Sequence, residues 1–460
     1  MIRGGPSPTR HLDWHILVAL TAAAVTLLSG LISALVYTRF EPVLRSWGVT
    51  LQQLRPIHET FAFAWVFLGG VAVVYFYLHH SSGPLSRAAR RRTTWQLVLW
   101  VGAGVGILIS LSLGHFSGRE YLGYHPLFSL LILAGWLLFA WNYFDRVGLR
   151  LVGQPVYVYM WSVAIPLFVI TFLEAHLFLL DFISDQPVRD IAIQWKSNGV
   201  MVGSFNLLSY GTLMYIVGLV RSDDRYAYSR TAFALFFVGV LNTFTNYGHH
   251  TYHLPQSPWI HWISFVVSML EFVILAKLFA DILSFRRGQP RSDEMRVCDS
   301  FVRSASLWTC IMLALSLLIA VPPLNALIHG THIVVAHSMG SMLGVNTMIL
   351  LAAMAYLVQS LRGNSEACAI RGRRIRRAIP LLNLSLAVFW LAFLGRGLAS
   401  GWSRHAGPSA PDFSAVLQAF PPVVLISGLG LTLSLLWILG NWAWLLVAHA
   451  GVQGRPATTD

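Results

Sequence analysis

Long apolar runs recur along almost the whole chain, and they restrict its possible folds more than any other feature. A membrane-spanning helix needs about 20 apolar residues, and in lipid every backbone polar group must be paired inside the spanning structure. The sequence therefore predicts an all-α, polytopic membrane bundle of about twelve transmembrane helices. We place them at residues 12–37, 56–80, 94–114, 124–145, 155–180, 191–220, 230–248, 258–285, 302–321, 327–360, 378–400 and 415–449.

Composition supports a membrane protein and excludes other classes. Of 460 residues, 56% are hydrophobic and 11% are charged. The net charge of +13 does not indicate a nucleic-acid partner, because most arginines fall in short loops on one side of the predicted bundle. The three cysteines show no paired spacing, which excludes a disulfide framework, an iron–sulfur motif and a zinc motif. No Cys-x-x-Cys-His motif occurs, so any haem must be held noncovalently.

The arginine asymmetry also predicts the orientation. Positively charged loops remain in the cytoplasm, which places both termini there. We expect one transmembrane domain over residues 1–452 and a disordered cytoplasmic tail at 453–460. No small-residue cleavage site follows the first apolar run, so we expect no separate signal peptide. Membrane lipid is the expected surrounding of this domain, and no internal repeat is evident.

Polar clusters from distant segments fall in the outer half of this topology. His337 and Met339 are two residues apart, which separates them by about 200° around a helix axis. They would face opposite sides of one helix, as expected for a helix between two cofactors. The alternative is that both line the bundle or pack against neighbouring helices.

Three further features could carry chemistry. His58 stands near the outer start of the second span, either as a metal ligand or as a polar anchor at the membrane surface. His249 and His250 close the seventh span after Gly248, where a loosened helix end could turn both rings toward one ion, although a solvated loop pair is the alternative. Glu271 is the one acid in an apolar run, which favours a proton relay or a site partner over a pair with Lys277.

These residues carry a resemblance. His58, Gly118-Arg119-Glu120, Gly248-His249-His250, Glu271 and His329-Gly-Thr-His332 with His337 together resemble the catalytic subunit of cytochrome c-dependent nitric oxide reductases, members of the haem-copper oxidase superfamily. The match covers nearly the whole chain.

The resemblance implies a set of cofactors. His58 would be an axial ligand of a low-spin haem b, and His337 would hold a high-spin haem of the b3 type. His249 and His250 would bind a non-haem metal, iron or copper, with Glu271 beside it. At the outer surface the resemblance implies a Ca²⁺ that bridges the haems, with Glu120 as one of its ligands. It also implies that Arg119, His329 and His332 contact the haem cofactors.

The chain departs from the family at the metal site. Met339 stands where the family has a second haem-ligating histidine, and it would either ligate the low-spin haem or merely pack. Asn198 and Val202 stand where the family has a third metal-binding histidine and a glutamate, and an Asn carbonyl is a weaker ligand than imidazole. A register that places Gln194 there breaks the spacing, and Gly123 replaces a second glutamate of the Arg119 turn. We expect a weakened non-haem site.

These features leave several functions open. The first is an enzyme of a bacterial inner membrane that reduces nitric oxide or a related small gas, with electrons from a separate c-type cytochrome subunit on the outer face. The second is a divergent paralogue that serves as a haem electron conduit or gas sensor. An oxygen-reducing relative is a further alternative, although Val202 replaces the tyrosine common in such proteins. A haem-free transporter would show no Soret absorption. We expect no proton pumping, because few acids lie in the inner halves of the spans.

Overall fold

The computed structural model describes residues 9–284, 295–363 and 365–448, so the predicted tail at 453–460 lies outside the described residues. This part is 86% helical and contains no strand. Twelve long helices form the bundle: α1 Arg10–Val36, α2 Leu51–Ser82, α3 Arg87–Ser112, α4 Leu127–Val147, α5 Val156–Glu174, α6 Pro187–Arg221, α7 Arg230–Thr245, α8 Pro258–Ser284, α9 Met295–Ala320, α10 His332–Arg362, α11 Glu366–Ala406 and α12 Ser414–Ala448.

The prediction of an all-α membrane bundle with about twelve helices is confirmed. Within the described ranges, eleven helices are long and apolar enough to cross a membrane. The twelfth, α7, has only 16 residues, and a 3-10 turn over Asn246–His250 continues it. At 1.5 Å per residue α7 spans roughly 24 Å, so the turn lies where a full-length helix would still cross the membrane.

Local sequence signals explain where several helices begin. The Thr50 hydroxyl accepts a hydrogen bond from the Gln53 backbone while the Gln53 side chain bonds back to the Thr50 backbone, which is a capping box at the start of α2. Ser86 caps α3 and Ser229 caps α7 in the same side-chain-to-backbone manner. These caps satisfy backbone groups that would otherwise be left open near the membrane surface.

The tenth predicted span is less regular than its apolar run suggests. A separate short helix, Pro322–Ile328, precedes it, and Gly330 has a φ of +69° between the two. His329 therefore lies before α10 rather than inside a helix from residue 327. Within α10, the residues Gly340–Thr347 form a π-helix that begins directly after Met339. Such wide turns occur frequently at functional sites.

Burial separates central helices from peripheral ones. The apolar windows of α6, α10 and α2 are 89%, 78% and 72% buried, whereas those of α3 and α11 are only 22% buried. The peripheral helices expose leucine, valine and tryptophan side chains, as expected for surfaces in contact with lipid. The predicted site residues His58, Asn198 and His337 thus belong to the three most enclosed helices.

Candidate haem and metal site

The imidazole of His58 is held in one orientation by α1. Its Nδ1 lies 2.9 Å from the Thr26 carbonyl oxygen, and because a carbonyl can only accept, Nδ1 carries the proton and donates it. The other ring nitrogen, Nε2, is then a lone-pair donor of the kind that binds metals. A Cβ on Gly30 would lie 2.8 Å from His58 Cε1, so glycine is what leaves room for this ring.

The packing of α2 against α10 places His58 at the depth of Met339. Trp65 Nε1 donates to the Thr347 hydroxyl at 3.1 Å, and these residues are 282 positions apart. Gly69 faces the Leu350 side chain, and that pair is 281 apart, as are His58 and Met339. These nearly equal offsets mean that the two helices run in the same direction. Extended back to residues 58 and 339, they place the two backbones at a similar level, while ligation by Met339 remains a prediction.

His249 and His250 lie side by side in the turn that follows α7. Their ring centroids are 4.3 Å apart. The His249 backbone N–H donates to Ser264 Oγ at 3.1 Å, and the same hydroxyl lies 3.2 Å from His249 Nδ1. Gly248 permits this contact, because a Cβ there would lie 2.7 Å from the Ile260 carbonyl oxygen. The helix end that was predicted to be loosened by Gly248 is therefore a 3-10 turn that is hydrogen-bonded to α8.

His337 approaches this pair from α10. It lies near enough to interact electrostatically with both His249 and His250. Its Nδ1 is 3.5 Å from the Ser316 hydroxyl of α9, at the outer limit of a hydrogen bond. The structure thus brings together three imidazoles that are up to 88 positions apart in the sequence.

Trp195 is a site residue that the sequence analysis missed. Its indole lies flat on the His250 imidazole, with ring centroids 4.8 Å apart and planes within 3° of parallel. Trp195 precedes Asn198 by three positions on α6, so both lie on one side of that helix. This i,i+3 spacing was the available signal.

Asn198, the predicted further ligand, is buried on α6. Its side chain is 7% exposed, and its Nδ2 is buried without a hydrogen-bond partner. The Oδ1 of the neighbouring Asn246 is also buried without one. Buried polar atoms rarely stay unsatisfied in native proteins, so these two amides have hydrogen-bonding capacity left for a ligand or a water. Among the described residues no group of three or more His, Cys, Asp or Glu side chains could hold a metal ion. A metal at His249 and His250 would need an amide oxygen or water to complete its ligands.

Glu271 lies deeper in α8 than the histidine pair. Its carboxylate accepts a hydrogen bond from Asn242 Nδ2, and Ser268 Oγ donates to Asn242 Oδ1 at 3.1 Å. Glu271 follows Ser264 by seven residues, which is two turns or roughly 10 Å along the helix. Lys277 bonds Asp281 at 3.0 Å instead of Glu271.

A small cavity connects Glu271 with the histidine turn. It has a volume of about 20 Å³, and its polar lining includes Asn206, Tyr210, Asn242 and Asn246 beside Glu271. This is enough for one water molecule. The polar groups of three helices therefore enclose a space of the size of one water molecule between the Glu271 carboxylate and Asn246 of the turn.

Arg119 and Glu120 of the Gly118-Arg119-Glu120 turn already have protein partners. Arg119 Nη1 binds Asp190 Oδ2 at 2.6 Å, and its guanidinium lies 5.0 Å from the Phe178 ring. Glu120 binds Arg55 at 2.6 Å, and Arg55 also binds Glu59 at 2.8 Å. The Arg55 guanidinium thus lies between the carboxylates of Glu59 and Glu120. The predicted Ca²⁺ at Glu120 does not fit this arrangement, because it would compete with the guanidinium.

His332 lies in an aromatic pocket, with its ring 5.8 Å from that of Phe393 and 5.2 Å from that of Phe420. Arg396 of α11 stands 4.5 Å from the Phe420 ring, and its buried Nε has no hydrogen-bond partner. An arginine inside a span is costly and commonly meets an anion. Arg396 was not among the predicted site residues, although its place in an apolar run was a signal for one.

His329 lies apart from His332, on the segment before α10. Its ring centroid is 4.5 Å from that of His253. Burial lowers the pKa of His329 below its ordinary value, and the nearby His253 and Arg404 lower it further. The imidazole is therefore neutral at physiological pH.

Fold and site together define a class of protein, a polytopic helical membrane bundle in which histidines from separate helices converge at one end. The chain belongs to the family described as Cytochrome C and Quinol oxidase polypeptide I, which matches residues 11–433. This is the subunit I family of the haem-copper oxidases, whose members typically bind haem. Superfamily membership, expected from the sequence, is confirmed. The nitric oxide reductase assignment remains a prediction.

Similar proteins agree with this family. The chain is 25% identical over 329 residues to the Cbb3-type cytochrome c oxidase subunit CcoN1 of Stutzerimonas stutzeri, covering 67% of this chain. The match spans 63% of the length of that curated relative. Among solved structures, the chain resembles a heme-copper terminal oxidase dimer studied by cryo-EM, with a TM-score of 0.65 and 14% identity. That similarity covers 98% of this chain and 85% of the other, and it concerns the fold.

Proposed function

We propose that the protein is a respiratory oxidoreductase that reduces nitric oxide or a related diatomic gas at a haem and non-haem metal pair. The observation that carries this proposal is the approach of His337 to His249 and His250 inside a membrane bundle. Side chains of this type bind haem iron, non-haem iron and copper. Reduction of two NO to N2O and water needs two electrons and two protons, together with a place that holds two nitrogen atoms close to each other.

His58 and Met339 are the proposed ligands of a low-spin haem b, and His337 is the proposed ligand of a high-spin haem of the b3 type. The free Nε2 of His58 and its shared depth with Met339 support the first assignment. Haem iron supplies one-electron transfer and an open position for a diatomic ligand. Because α10 carries both His337 and Met339, it would hold the two haems on opposite sides.

The remaining residues have supporting roles in this proposal. His249 and His250 would hold the non-haem metal, iron or copper, with Asn198 as a weak further ligand, and the stacked Trp195 would fix the plane of the His250 ring. Glu271 would hold a proton and pass it on beside the small cavity that it lines together with Asn246 of the histidine turn. Arg396 would pair with an anionic group of the cofactor, because its guanidinium lies inside the span beside His332.

The electron donor would be a separate c-type cytochrome subunit. The relative in Stutzerimonas stutzeri is itself named as a subunit, which supports an assembly with partners. The arginine asymmetry supports placing the histidine end on the outer face of a bacterial cytoplasmic membrane, with both termini inside.

Spectroscopy and metal analysis of the purified protein test the proposal together. We expect two haems and about one non-haem metal per chain, an EPR signal that changes when NO is added to the reduced protein, and consumption of NO. Consumption of O2 in place of NO would instead identify an oxygen-reducing relative. Absence of Soret absorption would overturn the proposal.

A second candidate is a paralogue that keeps haem but conducts electrons or senses gas without turnover. It is favoured because, among the described residues, no group of three or more His, Cys, Asp or Glu side chains could hold a metal ion. Haem without a stoichiometric second metal, and with no NO consumption, would support this candidate.

A further inference from the structure

Asn242 of α7 connects two side chains of α8 inside the membrane. Its Nδ2 donates to Glu271 Oε2, and its Oδ1 accepts a hydrogen bond from Ser268 Oγ at 3.1 Å. Ser268 and Glu271 are three positions apart and therefore lie on one face of α8. Both ends of the amide are thus occupied, and two contacts set its orientation toward the carboxyl group.

The carboxyl group of Glu271 depends on this amide. In the ranges that the structure describes, no cation pairs with it, because Lys277 of the same helix binds Asp281 at 3.0 Å. From α6 the titratable group that faces Glu271 is the Tyr210 phenol, and α7 carries its one charged residue, Arg230, at its first position. An acid within a membrane span is costly to ionise. The Asn242 N–H is therefore the group that stabilises the carboxyl group of Glu271.

The two oxygens of Glu271 face different surroundings. Oε2 accepts the hydrogen bond from Asn242. Oε1 lies on the side of Gly239, where an added Cβ would be 3.9 Å away, and Gly239 lines the same small cavity as Glu271 and Asn246. A carboxylic acid carries its proton on one oxygen, and a proton on Oε2 would face the hydrogen of the Asn242 N–H. When Glu271 is protonated, its proton therefore lies on Oε1, toward the cavity.

We propose that Asn242 is a positioning residue that keeps the Glu271 proton on Oε1, and that Ser268 holds the amide in this orientation. The proton then points to the side from which Asn246, whose buried Oδ1 has no hydrogen-bond partner, leads to the histidine turn. Asn242 and Ser268 neither gain nor lose a proton, because they only form hydrogen bonds. The use of the proton rests on the proposed function, whereas its position on Oε1 does not require haem.

The opposite orientation of the amide would have a different consequence. If Asn242 Oδ1 faced Glu271, it would accept a proton from Oε2, and that proton would point at the amide of α7. The two arrangements differ at the carbonyl oxygen of the protonated acid. In the observed orientation this oxygen is Oε2 and accepts from Asn242, whereas in the opposite one it has no bond to Asn242. A hydrogen bond to a carbonyl oxygen lowers its stretching frequency, so infrared spectroscopy separates the two.

Infrared difference spectra of the full-length purified protein, recorded between two pH values, test the position of the proton. Loss of a band in Glu271→Gln identifies the protonated carboxyl group. In Asn242→Leu, which keeps a similar shape without the N–H, we expect this band to move to higher frequency. Ser268→Ala should move it in the same direction by less, because the amide loses one of its two contacts. Thr245→Val is the matched control on α7, since the Thr245 hydroxyl donates to the Leu241 carbonyl at 3.1 Å, and the band should stay in place.

An unchanged band in Asn242→Leu would overturn the inference, as would a shift of equal size in Thr245→Val. Turnover provides the second measurement. Asn242→Leu should lower the rate of NO consumption by on the order of tenfold at saturating NO, because the proton is misplaced, and it should leave KM nearly unchanged. A higher KM at an unchanged maximal rate would count against a positioning role. A protein that shows the band shift but consumes no NO would contradict the proposed function and leave the position of the proton standing.

Discussion

At the residue scale, the most informative contact is the bond from His58 Nδ1 to the Thr26 carbonyl. It fixes the tautomer and the ring plane before any metal arrives, as backbone carbonyls commonly do for metal-binding histidines. Because Thr26 lies on α1 and His58 on α2, the ligand is oriented by a neighbouring helix and not by its own. A preset ring loses little freedom on binding, so this histidine is suited to hold an axial position.

Met339→His tests the second axial position. A thioether ligand gives a higher reduction potential than a second imidazole, so the substitution should lower the potential of the low-spin haem by on the order of 100 mV. Redox titration followed in the visible α-band measures this shift. Met342→His is the control, because that residue lies in the π-helical segment three positions further on. An unchanged potential in Met339→His would mean that the residue only packs.

Trp195 makes a separate prediction about the non-haem metal. A stacked ring pair contributes about 0.5–1.5 kcal/mol, so Trp195→Leu should weaken metal binding at the His250 side roughly twofold to tenfold. Trp195→Phe keeps an aromatic face and should retain most of the affinity. The metal-to-protein ratio after graded dialysis against a chelator distinguishes the two variants. Equal retention in both would show that stacking does not position His250.

Some of the site residues can be recognised from the sequence alone, and others cannot. Adjacent histidines at a helix end and an acid inside an apolar run stand out on spacing and polarity alone, as His249, His250 and Glu271 do. Trp195 and Asn242 do not stand out on polarity, and for Trp195 the only signal is its i,i+3 spacing from Asn198. Their roles depend on a ring plane and a hydrogen bond across helices, which only the packed structure determines.

At the element scale, α10 combines two helix types in one span. The segment that carries His337 and Met339 is α-helical, and the wide turns begin at Gly340. The change allows Gly340 and Gly344 to face Met312 and Trp308 of α9 at distances that leave no space for a Cβ. Hydropathy predicted this span but not its wide turns, because the mean hydropathy of a segment does not depend on how many residues make one turn.

Gly30 tests the packing of α1 against α2. In Gly30→Ala the new Cβ would lie 2.8 Å from His58 Cε1 and Nδ1, so the ring must move and its bond to Thr26 must weaken. We expect loss of the low-spin haem signal, measured as the haem-to-protein ratio and the α-band intensity. Gly102→Ala in α3 is the matched control, since a Cβ there meets nothing within 4 Å. Full low-spin haem in both variants would argue against His58 as a ligand.

At the scale of the whole molecule, the fold was predictable because lipid permits few alternatives. Twelve apolar runs became twelve helices in the described residues. The largest difference in bounds is at α11, which begins at Glu366 and not at the predicted residue 378. The shortest helix is α7, and the 3-10 segment at Asn246–His250 continues it. Which helices are central could not be predicted, because all of them are apolar. The central position of α2, α6 and α10 depends instead on small residues and polar contacts between helices, such as Gly70 against Leu208 and Trp65 against Thr347.

An ion pair at the end of the bundle opposite the histidines connects three helices. Arg362 Nη2 binds Asp13 Oδ1 at 2.8 Å, with side chains that are only 8% and 16% exposed. The same guanidinium donates to the carbonyl oxygens of Leu445 and Leu446 at 3.0 Å. It thereby joins the end of α10 to the start of α1 and the end of α12.

Arg362→Met should destabilise the bundle strongly, because it leaves Asp13 buried without its partner and frees two carbonyls. Breaking such a pair typically costs about 3–5 kcal/mol, which should lower the Tm in detergent by several degrees. Replacing both partners, in Arg362→Met with Asp13→Leu, should recover part of the loss because no charge stays buried. Arg225→Gln removes the exposed pair with Asp223 and should leave Tm unchanged, since solvent screens it. A Tm for Arg362→Met equal to that of Arg225→Gln would show that the three helices are held by apolar packing alone.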